Sequence, residues 1–89
     1  MDITIVRDEY GQMWAVCEHE TLFGFSHSRE EKSWRFWMPG RAFDPMVFKG
    51  RFPLSYFQDA CRATWFIRHG EGMGDIVIVV KGRNYIGLK

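Results

Sequence analysis

Eighty-nine residues with a formal net charge of +1 fit one domain around one modest core, 1–89, and argue against a general binder of polyanions. No run approaches the roughly eighteen apolar residues of a membrane span, and Met1-Asp2-Ile3-Thr4 lacks the basic start of a signal peptide. Apolar residues make up 46% of the chain, more than so small a domain encloses, and the surplus points to a partner or to self-association.

The first half predicts a β-meander. Asp2 to Arg7 alternates, with Ile3 and Ile5 on one face and Thr4 and Val6 on the other. Asp8-Glu9-Tyr10-Gly11 supplies turn chemistry. Gln12 to His19 returns with Trp14 and Val16 opposite Met13, Ala15 and Cys17. A third strand is expected from about Thr21 to Ser26, then a polar turn at Ser28 to Glu31. From Ser33 to Met38, Trp34 and Phe36 go to the core while Arg35 and Trp37 stand on the outer face.

Pro39-Gly40 stops that strand, and Arg41 to Phe52 shows neither period, so it reads as a long ordered loop. The helix is expected from about Leu54 to His69, with Phe57, Ala60, Cys61, Thr64 and Ile67 as its apolar stripe and Gly70 past its end. Gln58, Arg62, Trp65 and His69 form the opposite, polar stripe. Residues 70–74 read as a glycine connector, Ile76 to Val80 as a strand buried on both faces, and Tyr85 to Leu88 as a short last strand. The expected fold is α+β: an antiparallel sheet of five to six strands in the order β-β-β-β-α-β(-β), with one helix on one face.

Charge is unevenly distributed. Residues 1–31 carry seven acids and two bases, and residues 32–58 carry five bases and one acid. Such a division can produce a dipolar surface that orients a partner. Two cysteines, Cys17 and Cys61, are too few for the disulfide framework of a small secreted domain and suit a reduced, cytoplasmic protein.

No catalytic or ligand-binding motif emerges. Cys17, His19, His27 and Cys61 lack the close ligand pairs of a structural zinc site, so no metal is expected. Neither cysteine sits where a thiolate would be activated. Glu18, Glu20, Glu30 and Glu31 lie at strand ends, where they are simply solvated. The glycines at 70–74 follow a helix and precede a strand, the reverse of a phosphate loop, so no cofactor is expected either.

The remaining signal is aromatic and basic. Ten of the fifteen aromatic residues lie between Phe23 and Phe57, interleaved with Lys32, Arg35, Arg41, Lys49 and Arg51. Most such rings belong to a core, and periodicity singles out Arg35, Trp37, Arg62 and Trp65 as exposed. The expected partner surface is Arg35, Trp37, Arg41, Phe43, Lys49 and Arg51, with Arg62 and Trp65 as a second patch. The leading expectation is a non-catalytic accessory or regulatory factor acting through a protein–protein interface, as small inhibitors and adaptors of phages and mobile elements do by analogy. The alternative is a nucleic-acid-binding module using the same aromatic and basic surface. A small enzyme without a recognisable motif ranks third.

Overall fold

The structure, a computed structural model, describes residues 1–40 and 44–80. Expectations for Arg41, Phe43 and a strand at Tyr85 to Leu88 lie outside the described residues. The fold is α+β, with strands β1 (Asp2–Arg7), β2 (Met13–Cys17), β3 (Glu20–Ser28), β4 (Ser33–Trp37) and β5 (Met46–Lys49), helix α1 (Leu54–His69) and strand β6 (Val77–Val80). The six strands form one sheet in the order β5-β4-β3-β2-β1-β6.

Local chemistry sets the meander. Asp8 Oδ1 accepts hydrogen bonds from the amides of Tyr10 (2.9 Å) and Gln12 (3.0 Å), while Gly11 takes a φ of 85° that an L side chain resists. Glu18 and His19 close the next hairpin at φ 51° and 69°, the left-handed pair that a two-residue turn demands. Ala15 pairs with Phe23 but Val16 with Thr21, so Leu22 is the extra residue of a bulge. Leu22 is buried.

Two expectations about the sheet are corrected. It is mixed rather than antiparallel, because β6 pairs parallel to β1, with Ile3 opposite Ile78. A strand reached through a helix can return in the same direction as its neighbour, and α1 carries the chain from the β5 edge to the β6 edge. The segment read as a loop contains β5, which pairs antiparallel with β4 through Trp34–Phe48 and Arg35–Val47. Four residues are too few to display a period against the surrounding Pro45, Gly50 and Pro53.

The core lies between α1 and one face of the sheet. Phe57, fully buried, meets Phe25 at 5.5 Å and Phe23 at 5.6 Å, both nearly edge-on. Phe25 stacks on Phe36 at 5.4 Å. Such offset and edge-to-face pairs suit the ring quadrupoles. Phe52 closes on Phe57 at 5.3 Å, and Phe48 and Tyr56 pack together at 4.6 Å beside Phe36. Most of the aromatic cluster is therefore core.

The helix buries Phe57, Ala60, Cys61, Thr64 and Trp65. Ile67, expected inside, is 81% exposed, while Trp65, expected on the polar side, is 5% exposed. At ~100° per residue both lie ~80° from Phe57, on opposite flanks of the stripe. Tertiary placement decides between them, because the Trp65 flank faces the β2–β3 turn. There Trp65 stacks on His69 at 3.8 Å, and His69 Nε2 approaches Glu20 Oε2 at 2.9 Å. Arg68 Nη1 donates to the Thr21 carbonyl at 2.8 Å.

The connector after Gly70 is anchored by Met73, which is buried in the core. β6 is not enclosed on both faces, since Val77 and Val80 are 55% and 64% exposed; it is an outermost strand among the described residues.

Phe57→Ala and Trp65→Ala should each lower the unfolding free energy by about 3–5 kcal/mol in urea titrations. Ile67→Ala should stay within about 0.5 kcal/mol. Equal damage from Ile67→Ala and Phe57→Ala would refute this assignment of helix faces.

Candidate functional site: the helix-free sheet face

Alternation gives the sheet two unlike faces. The face turned from α1 carries Thr4 and Val6 of β1, Trp14 and Val16 of β2, Gly24 and Ser26 of β3, Arg35 and Trp37 of β4, and Val47 and Lys49 of β5. None of its apolar side chains joins the core cluster or packs against it. No described element covers this face. Val47 is 48% exposed, and Trp14 and Trp37 are half-buried.

The centre of the face is a row across four strands: Val6, Trp14, Gly24 and Trp37 stand in register. Gly24 makes this possible. A Cβ there would sit 2.8 Å from both Trp14 Cζ3 and Gln12 Nε2, so the Trp14 indole lies directly over the glycine. Two further bonds hold this arrangement. Trp14 Nε1 donates to Asp8 Oδ2 at 3.4 Å, and the Gln12 amide donates to the Phe25 carbonyl at 3.1 Å. The carboxylate that closes the first turn thus also tethers the indole.

Arg35 lies one step along β4 from Trp37, beside Val47 and Ser26. Its guanidinium is ion-paired with Glu31. Lys49 follows on β5, opposite Ser33, and Arg51 lies exposed just beyond. Arg35 and Trp37 therefore share one face, as expected from their alternation, and β5, read from the sequence as loop, brings Lys49 to the same face. Arg62 does not join them, because it projects from the solvent side of α1 near Asp59, 3.9 Å away. Trp65 belongs to the core, so the second expected patch is not formed.

Trp14 and Gly24 were missing from the expected surface. The signal was present, since alternation already set Trp14 opposite Ala15 and Cys17. A lone glycine between Phe23 and Phe25 marks a close approach to the backbone.

Nothing in this geometry activates a nucleophile. Burial raises the Cys17 thiol above its ordinary pKa, with Glu18 adding to the effect. Burial, reinforced by Cys17, pushes Cys61 up to about 12. Both remain protonated at neutral pH. Among the described residues no three His, Cys, Asp or Glu side chains converge as a metal site would require, and no helix is long and apolar enough to cross a membrane. The chain matches no protein-family model, no curated protein and no solved structure.

Gly24→Ala should displace the Trp14 indole and cost about 1–3 kcal/mol, the usual penalty of overpacking. Its indole N–H resonance should shift while that of Trp65 stays in place; an unmoved Trp14 signal would contradict the close approach. The thiols give a second test. Cys61 keeps its proton more tightly when folded, so the associated stability is complete below pH 9 and declines as pH rises toward about 12. Thermal melts should show this alkaline decline, and Cys61→Ala should flatten it. An equally steep decline in the variant would assign it to other groups.

Proposed function

We propose that the protein is a small non-catalytic binding factor that uses its helix-free sheet face to dock a protein. The observation that carries this reading is the row of Trp14, Gly24 and Trp37 on a face outside the core. Tryptophan and arginine dominate the energetics of protein interfaces, and a pre-positioned ring loses little side-chain freedom on binding. The accessory or regulatory role follows from what such a surface does: it occupies or positions a partner without transforming it. Buried, protonated Cys17 and Cys61 suit a reducing cytoplasm.

Charge favours protein over nucleic acid as the partner. Arg35 is paired with Glu31, and the chain carries a net charge of only +1. Phosphate neutralisation dominates nucleic-acid affinity, and valines add nothing to it.

The test is capture of partners from lysate, with and without nuclease, by the tagged protein and by its Trp37→Ala and Arg35→Ala variants. Trp37→Ala should reduce capture at least tenfold, Arg35→Ala should do less, and moderate salt should change little. Nuclease-sensitive capture with a log–log salt slope near −0.7 per phosphate would favour the nucleic-acid reading. Undiminished capture by both variants would remove this face from the function.

A further inference from the structure

The pattern of charge on this face is ordered. Lys49 occupies one corner, at the β4–β5 side opposite Ser33, with Arg35 beside it already ion-paired to Glu31. Asp2, which alternates onto this face with Thr4 and Val6 and pairs with Val77, lies at the end of the sheet reached by running back along β1 from Val6, next to the turn that holds Glu18. The tryptophan row, which begins at Val6, lies between the two corners, flanked by Val16 and Val47. An apolar strip with a basic corner and a diagonally opposed acidic corner is complementary to itself.

We infer that this face binds a second copy of the chain, forming a two-fold face-to-face dimer; the inference rests on the docking reading above and names its partner. A two-fold axis between the faces, perpendicular to the line joining the corners, places each basic corner over the other copy's acidic corner. The same rotation brings the two tryptophan rows together. Such an interface is isologous, so each attraction occurs twice. A protein partner of unrelated sequence has no reason to require both signs at these opposed places.

Area is consistent with this geometry. Six strands spanning about 24 Å, each about 17 Å long, give a face of roughly 400 Å² per copy. The pair would bury about 800 Å², in the range of weak, transient interfaces rather than of standard ones. The dimer should therefore be reversible and concentration-dependent, without the tightness of an obligate one.

Sedimentation velocity on the full chain from about 5 to 500 μM gives the test, chosen to span weak association. A dimer fraction that rises with concentration is expected. Trp37→Ala and Val47→Glu should shift the curve at least tenfold toward monomer; Val47 is exposed, so its replacement leaves the fold intact by circular dichroism. Lys49→Glu and Asp2→Lys should each weaken the dimer, and the double variant Asp2→Lys/Lys49→Glu should restore it, since exchanging the signs preserves complementarity. A single monomeric species at every concentration overturns the inference, as does a dimer that none of these variants alters. If the chain is monomeric yet Trp37-dependent capture of another protein persists, the second copy is wrong and the docking face stands. If both are absent, both readings fall.

Discussion

Phe57 packing edge-on against Phe23 and Phe25 is the contact on which the arrangement depends. It fixes α1 across the middle of the sheet, over β3, and so determines what α1 can and cannot cover. An α-helix with its side chains is about 10–12 Å wide, whereas six strands span roughly 24 Å. The width left over on the helix side is filled by other rings. Phe48, Phe52, Tyr56 and Trp34 close the β4–β5 side around Phe36, and Met73 contributes from the connector. Among the described residues no second helix remains for the other face.

That leftover face is more ordered than leftover surface needs to be. Gly24 removes the one Cβ that would lift Trp14 off the sheet, and Asp8 and Gln12 hold the indole region in place. A glycine within a strand weakens it, by the loss of packing and the larger entropy of the unfolded chain. The sequence retains one here, between two core phenylalanines, where it serves the opposite face. The helix end is held too, because Glu20 lies against both Arg68 (3.7 Å) and His69 (2.9 Å). These part-exposed contacts contribute little stability individually and lie beside the buried Trp65, whose enclosure favours turning this flank of α1 toward the sheet.

Much of this was legible from pattern. Alternation assigned the faces of β1, β2 and β4 correctly, because each strand has one face on the core and period two is unambiguous over five or six residues. Gly70 and the basic last turn marked the helix end, and Gly70 takes the left-handed φ of 73°. What pattern could not give was long-range. Trp65 and Ile67 are equivalent by helical angle, and only the position of the β2–β3 turn separates them. The direction of β6 depends on how far α1 carries the chain, which no local residue encodes. β5 is too short to declare itself. For the candidate site, Arg35, Trp37 and Lys49 were legible, whereas Trp14 became part of it only through the register of β2 with β3 and β4.

The two faces share a backbone but almost no side chains, which separates the packing of the core from the chemistry of the helix-free face. Phe23, Phe25 and Phe36 act on one side, and Trp37, Arg35 and Val47 on the other, so changes to the second set leave the core intact. Gly24 is the exception. Its neighbours in sequence are core residues, its neighbours in space are Trp14 and Gln12, and a side chain there would strain the strand that carries the core. The position where fold and candidate function constrain each other most directly is thus a residue with no side chain, and the conflict is resolved by that absence.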